Sequence, residues 1–164
     1  MKKAIQNSST HFLRAVVLLM GLGVLVLCGF LLPAFYREWA DVFPYVAYLR
    51  FPAMIGLITT AVAFFVALWQ TLKLLHYIDT STAFSEASVN ALGVIKVCAL
   101  IISGLYVLAL PLMYSLAQGE DAPGFGILGA FFVCAPVVIA VFATVLQRVL
   151  RDAIAIQKEH DLTV

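Results

Sequence analysis

Residues 97–119, VCALIISGLYVLALPLMYSLAQG, run for 23 positions without a charged side chain. A bilayer core about 30 Å thick is crossed by roughly 20 helical residues, so this segment is long enough to span once. Hydrocarbon offers no hydrogen-bond partners, and a spanning backbone must satisfy itself as a helix or a closed barrel. The run is continuously apolar rather than alternating, which selects the helix.

Three more charge-free stretches lie around it: 15–36 and 51–72, each of 22 residues, and 122–147, of 26. Together the four hold 93 of the 164 residues, which leaves no room for a separate soluble domain. The spans are set at 15–36, 51–72, 97–119 and 124–147, with an amphipathic tail over 148–164. The expected fold class is therefore all-α: a single-domain integral membrane four-helix bundle, with helices 3 and 4 extending into the cytoplasm. The first stretch is expected to be a retained span. Its apolar run exceeds the 7–15 residues of a signal peptide, and Leu27 before Cys28 is too bulky for a lipoprotein cleavage site.

Composition agrees. The hydrophobic share is 63% and the mean hydropathy +1.04, against about 45–50% apolar in soluble domains. Charged residues make up 12%, about half the usual share. Soluble enzymes, disordered chains and binders of nucleic acid through a basic surface are excluded. The net charge of +1 comes from ten basic and nine acidic residues.

Orientation follows from the basic residues. Lys2, Lys3, Arg14, Lys73, Lys96, Arg148, Arg151 and Lys158 are eight of the ten, and they flank the termini and the middle connection. Arg37 and Arg50 share the other two connections with Glu38, Asp41, Glu120 and Asp121. The positive-inside rule then places both termini and the middle connection in the cytoplasm. Tyr36, Trp39, Tyr45, Tyr48 and Phe51 mark the outer interface, and Trp69 and Tyr77 the inner one.

The spans carry no ionisable residue of the kind that marks ion pathways and proton relays. Lys96, beside the third span, can snorkel to the interface. Gln70, Gln147, Ser103, Thr59, Thr60 and Thr144 are candidates for interhelical hydrogen bonds. Cys28, Cys98 and Cys134 read as buried small apolar residues, one per span. No cysteine or histidine pair has metal-ligand spacing, and His11, His76 and His160 read as solvated interfacial residues. Gly124, Gly126 and Gly129 have the spacing of a dinucleotide fingerprint but follow no strand. No catalytic constellation, cofactor site or metal site is expected, so the protein is read as non-enzymatic. Gly126, Ala130 and Cys134 in the fourth span, and Ala99 and Ser103 in the third, form small-residue faces on which helices can close. Pro111 and Pro136 each remove a helical donor and are expected to kink their helices.

Local signals are denser between the spans. Ser85 reads as an N-cap, with Glu86 favouring the helix dipole and Phe84 and Val89 spaced as a hydrophobic staple. The third helix is expected to begin near Ser85 and run to about Ala117. Beyond the fourth span, Leu146, Val149, Leu150, Ala153 and Ile154 keep helical spacing opposite Arg148, Arg151, Asp152, Lys158 and Glu159.

Leu75-x-x-Ile78-Asp79 followed by Phe84-Ser85 and Leu92, with the terminal Lys158-Glu159-x-Asp161-Leu162-Thr163-Val164, resembles the bacterial domain-of-unknown-function 2975 family of small four-span membrane proteins. Members often have a glycine in the turn before the phenylalanine, where this chain has Thr80-Ser81-Thr82-Ala83. Their genes often stand beside one for a small helix-turn-helix regulator. The resemblance therefore implies a membrane component that binds a cytoplasmic DNA-binding partner, with no direct contact to nucleic acid. The expected contact residues are Asp79, Phe84, Ser85, Glu159, Asp161, Leu162 and Val164, and the lipid bilayer and further copies of the chain are the other expected partners. The competing reading is a small oligomeric transporter or channel subunit. A lipid or envelope-stress sensor would rest on the aromatic outer connection.

Overall fold

The computed structural model describes the backbone of residues 2–42, 50–80, 82–119 and 124–162, and the side chains of 12–30, 33–34, 51–80, 82–111 and 129–159. Four helices fill it: α1 (Lys2–Val42), α2 (Arg50–Asp79), α3 (Glu86–Gly119) and α4 (Gly124–Leu162). All four contain a segment long and apolar enough to cross a membrane. At 1.5 Å per residue they measure about 45–60 Å, so each overhangs a core about 30 Å thick. α1 runs through Pro33, α3 through Pro111 and α4 through Pro136.

Side-chain hydroxyls fix the connection between α2 and α3. The Thr80 amide donates to the His76 carbonyl at 3.1 Å and the Thr82 amide to the Tyr77 carbonyl at 2.9 Å. The Thr80 and Thr82 hydroxyls turn back onto the same carbonyls at 3.0–3.3 Å and meet each other at 2.8 Å. Two of the last carbonyls of α2, orphaned by the helix end, are thus satisfied by threonines. Across the turn Ser85 caps α3, its Oγ accepting from the Ser88 amide at 3.4 Å and its carbonyl at 3.0 Å. The helix begins one residue later, at Glu86. Val89 is buried, but Phe84 keeps 61% of its surface exposed.

The helices touch in chain order, α1 on α2, α2 on α3 and α3 on α4. Among the described residues, no Cα of α1 comes within 8 Å of α3 or α4, nor one of α2 within 8 Å of α4. Burial is uneven along this row: 28% of the α3 span is buried against 6% of the α1 span.

The α3–α4 seam is built from small and polar residues. On α3 it uses Val89 and Ser103, both buried, with Gly93 and Leu110. On α4 it uses Gly129, Ala140, Ala143 and Ile154, with Gln147 half-buried among them. The Gln147 amide donates to the Val89 carbonyl at 3.1 Å, and the Ser103 hydroxyl to the Val133 carbonyl at 3.4 Å. A Cβ on Gly93 would stand 3.1 Å from Gln147 Nε2, so the missing side chain makes room for that amide.

Two expectations about α4 are corrected here. Ser103 does face the seam and Ala99 is buried, but Ala130 and Cys134 are exposed. The contact face lies one register over, where Gly129 comes close enough to α3 that a Cβ would meet Leu110 Cδ2 at 3.3 Å. Within the tail, Leu150, Ala153 and Ile154 turn inward while Leu146 and Val149 stay exposed. Of the three cysteines, Cys98 is buried, Cys28 half-buried and Cys134 exposed, and none is in a disulfide.

Candidate functional site

All four helices contribute charged residues to the end of the molecule that holds the α2–α3 turn. Arg14 on α1 donates to Asp79 at the close of α2, Nη2 to Oδ2, at 2.8 Å, with the two side chains 33% and 23% exposed. Lys158 on α4 lies 3.8 Å from Glu86 on the first turn of α3, both side chains 71% exposed. The first pair is short and half-sheltered. The second is long and mostly in solvent, where such pairs contribute at most about 1 kcal/mol.

The Lys158–Glu86 approach sets the α4 tail beside the capped turn, so the two segments singled out by sequence belong to one face. Asp79 is tied to Arg14, Ser85 is spent on capping, and Phe84 stands exposed between them. Glu159 is exposed one residue beyond Lys158. Asp161 and Leu162 fall in the last turn of α4, with side chains outside the described residues, as does the whole of Val164. His11 and His160 also have their side chains outside them.

One cleft of about 480 Å³ opens at this end, between α1 and α2. Arg14, Trp69, Leu72, Lys73, His76 and Tyr77 line it. The five α2 residues recur at helical spacing, so they share one face. Sequence reading placed Trp69 and Tyr77 at the interface but did not join them to Arg14, Lys73 and His76. The 69/72/73/76/77 periodicity was the available signal; the position of α1 was not. Among the described residues, no three of His, Cys, Asp or Glu gather as metal ligands.

Residues 35–164 match the family model described as a protein of unknown function, DUF2975. The chain belongs to the DUF2975 family. The matched region takes in the capped turn and the α4 tail, whereas Arg14 lies before it. The chain is 46% identical over 156 residues, 95% of its own length and 98% of the relative's, to the "Uncharacterized membrane protein YoaS" of Bacillus subtilis (strain 168). No solved structure matches. This DUF2975 chain is accordingly a membrane protein with four membrane-spanning helices.

Proposed function

We propose that the protein is a non-enzymatic docking component of the bacterial cytoplasmic membrane, whose capped turn and α4 tail hold a cytoplasmic protein partner in a regulatory or scaffolding role. The observation that carries this reading is Phe84: an aromatic ring 61% exposed beside a turn fixed at both ends by side-chain hydroxyls. A large apolar side chain held rigidly outside the core is what an interface anchor requires. The basic residues on the terminal and middle segments support a cytoplasmic position for this face. A small helix-turn-helix regulator is the partner class that the family resemblance implies.

The test is recovery of crosslinked partners from native membranes, comparing the intact chain with one lacking residues 159–164 and with Phe84→Ala. Recovery of a small DNA-binding protein with the intact chain, and its loss in both variants while membrane insertion persists, supports the reading. Recovery of further copies of the same chain alone, unaffected by either change, moves the assignment to a homo-oligomeric transport role, and solute flux in liposomes then decides.

A further inference from the structure

The α1–α2 cleft opens beside the capped turn, sharing His76 and Tyr77 with it, but its chemistry is different. Lys73 precedes Asp79 by six residues, so it sits about 9 Å nearer the membrane along α2. Trp69 lies a further turn in. Aromatic rings of this kind settle at the headgroup level, and a lysine one turn further out is then level with lipid phosphates.

Charge at the cleft is unbalanced. Arg14 brings a guanidinium and Lys73 an ammonium group, and His76 adds a ring N–H. Asp79 is the nearest carboxylate on α2, and Arg14 already holds it at 2.8 Å. Residues 2–13, the remainder of α1 on this side, contain no acidic residue. Lys73 makes no ion pair among the described residues. The walls beside these cations are Trp69, Leu72 and Tyr77. A cationic mouth at the interface over an aromatic and aliphatic wall fits an amphiphile: an anion for Lys73 and Arg14, with hydrocarbon against Trp69 and Leu72. The volume of about 480 Å³ admits a headgroup and the first carbons of its chains.

We propose that this cleft is a binding site for the headgroup phosphate of an anionic phospholipid, with Lys73 as its principal cation, Arg14 as the second, and Trp69 against the acyl chain. Basic pockets between spans at the cytoplasmic leaflet recognise such headgroups. The site differs from general attraction to a negative surface because its cations are held in a cleft between two helices.

Trp69 reports on its own site. In a Trp39→Phe background it is the only tryptophan, and its fluorescence in liposomes can be quenched by a lipid brominated near the carbonyl. Vesicles of phosphatidylcholine with a minor share of phosphatidylglycerol are prepared twice, with the bromines on one lipid or on the other. The proposal expects brominated phosphatidylglycerol to quench at least about twofold more than its mole fraction predicts. Lys73→Gln should remove that excess, Lys73→Arg should keep it, and Arg151→Gln on α4 should leave it unchanged, with helicity equal by circular dichroism. Quenching that follows mole fraction overturns the proposal. So does an excess that survives Lys73→Gln or disappears equally in Arg151→Gln, since it would then come from overall charge. Relief of the excess by inorganic phosphate or glycerol phosphate in the buffer would assign the cleft to a soluble anion and overturn the lipid reading.

Discussion

The α3–α4 seam and the α1–α2 contact join helices of similar length and similar apolar content, yet they are built differently. The seam runs through buried small residues from Gly129 to Ile154 and is crossed by two hydrogen bonds from side chains, Gln147 to Val89 and Ser103 to Val133. The α1–α2 contact has Gly21, where a Cβ would stand 2.5 Å from Leu68 Cδ2, and the Arg14–Asp79 pair at its end. The difference teaches what holds helices together in lipid. Leucine gains nothing by leaving hydrocarbon for another helix, so close backbone approach and polar pairing do the work. α1 carries leucine, valine and phenylalanine along most of its span and leaves nearly all of that surface exposed. α3 has serine, alanine and glycine at its contacts and is the most buried helix of the row.

Overpacking the seam is the strongest way to break this contrast. Ala143→Leu inserts three carbons at a buried contact and should cost about 1–3 kcal/mol, read as a lowered thermal unfolding midpoint in detergent micelles. Val138→Leu, on the exposed face of the same helix, should leave the midpoint where it was; equal losses would show that the seam has no special standing. Next comes Gln147→Met, which keeps the shape and removes the donor. It should cost about 1 kcal/mol, the scale of a polar contact between membrane helices. No loss would mean that small-residue packing suffices alone. The Arg14–Asp79 pair should be weaker still: a double-mutant cycle with Arg14→Gln and Asp79→Asn should give a coupling below about 1 kcal/mol, because both groups remain partly in solvent. A larger coupling would make α1 as firmly held as α4. At the bottom, Lys158→Gln should leave the unfolding midpoint unchanged, since its partner lies 3.8 Å away in open solvent.

The number of helices and the start of α3 were legible in the sequence because they depend on local properties. Charge-free length identifies a span, and Ser85 before Glu86 marks a start that needs no knowledge of the rest of the chain. The register of the seam was not legible. α4 is apolar all round, with small residues on two adjacent faces, and the choice of the Gly129 face over the Ala130–Cys134 face depends on what α3 presents to it. The polar residues divided in the same way. Gln147 and Ser103 reach across to a neighbour, while the hydroxyls of Thr59 and Thr144 bond back to Ile55 and Ala140 on their own helices. A threonine can always find the carbonyl four residues behind it, so its presence in a span does not announce an interhelical contact; the longer glutamine reaches out to a partner. For the candidate site, the turn and the tail were each visible as unusual segments, and their meeting through Glu86 and Lys158 was not. The cleft was hidden because one of its six walls, Arg14, is far away in the chain.

The contact pattern along the row also bears on how the protein is made. Among the described residues, each helix touches only its neighbours in the order of synthesis. A new helix leaving the ribosome therefore finds its partner already in the membrane and need not wait for a later segment to close a ring. Contacts of low sequence separation of this kind form quickly and leave few wrong pairings to undo. A chain so arranged can be completed hairpin by hairpin, with the polar Gln147 among the last groups to find its place, after most of the apolar surface is already in lipid.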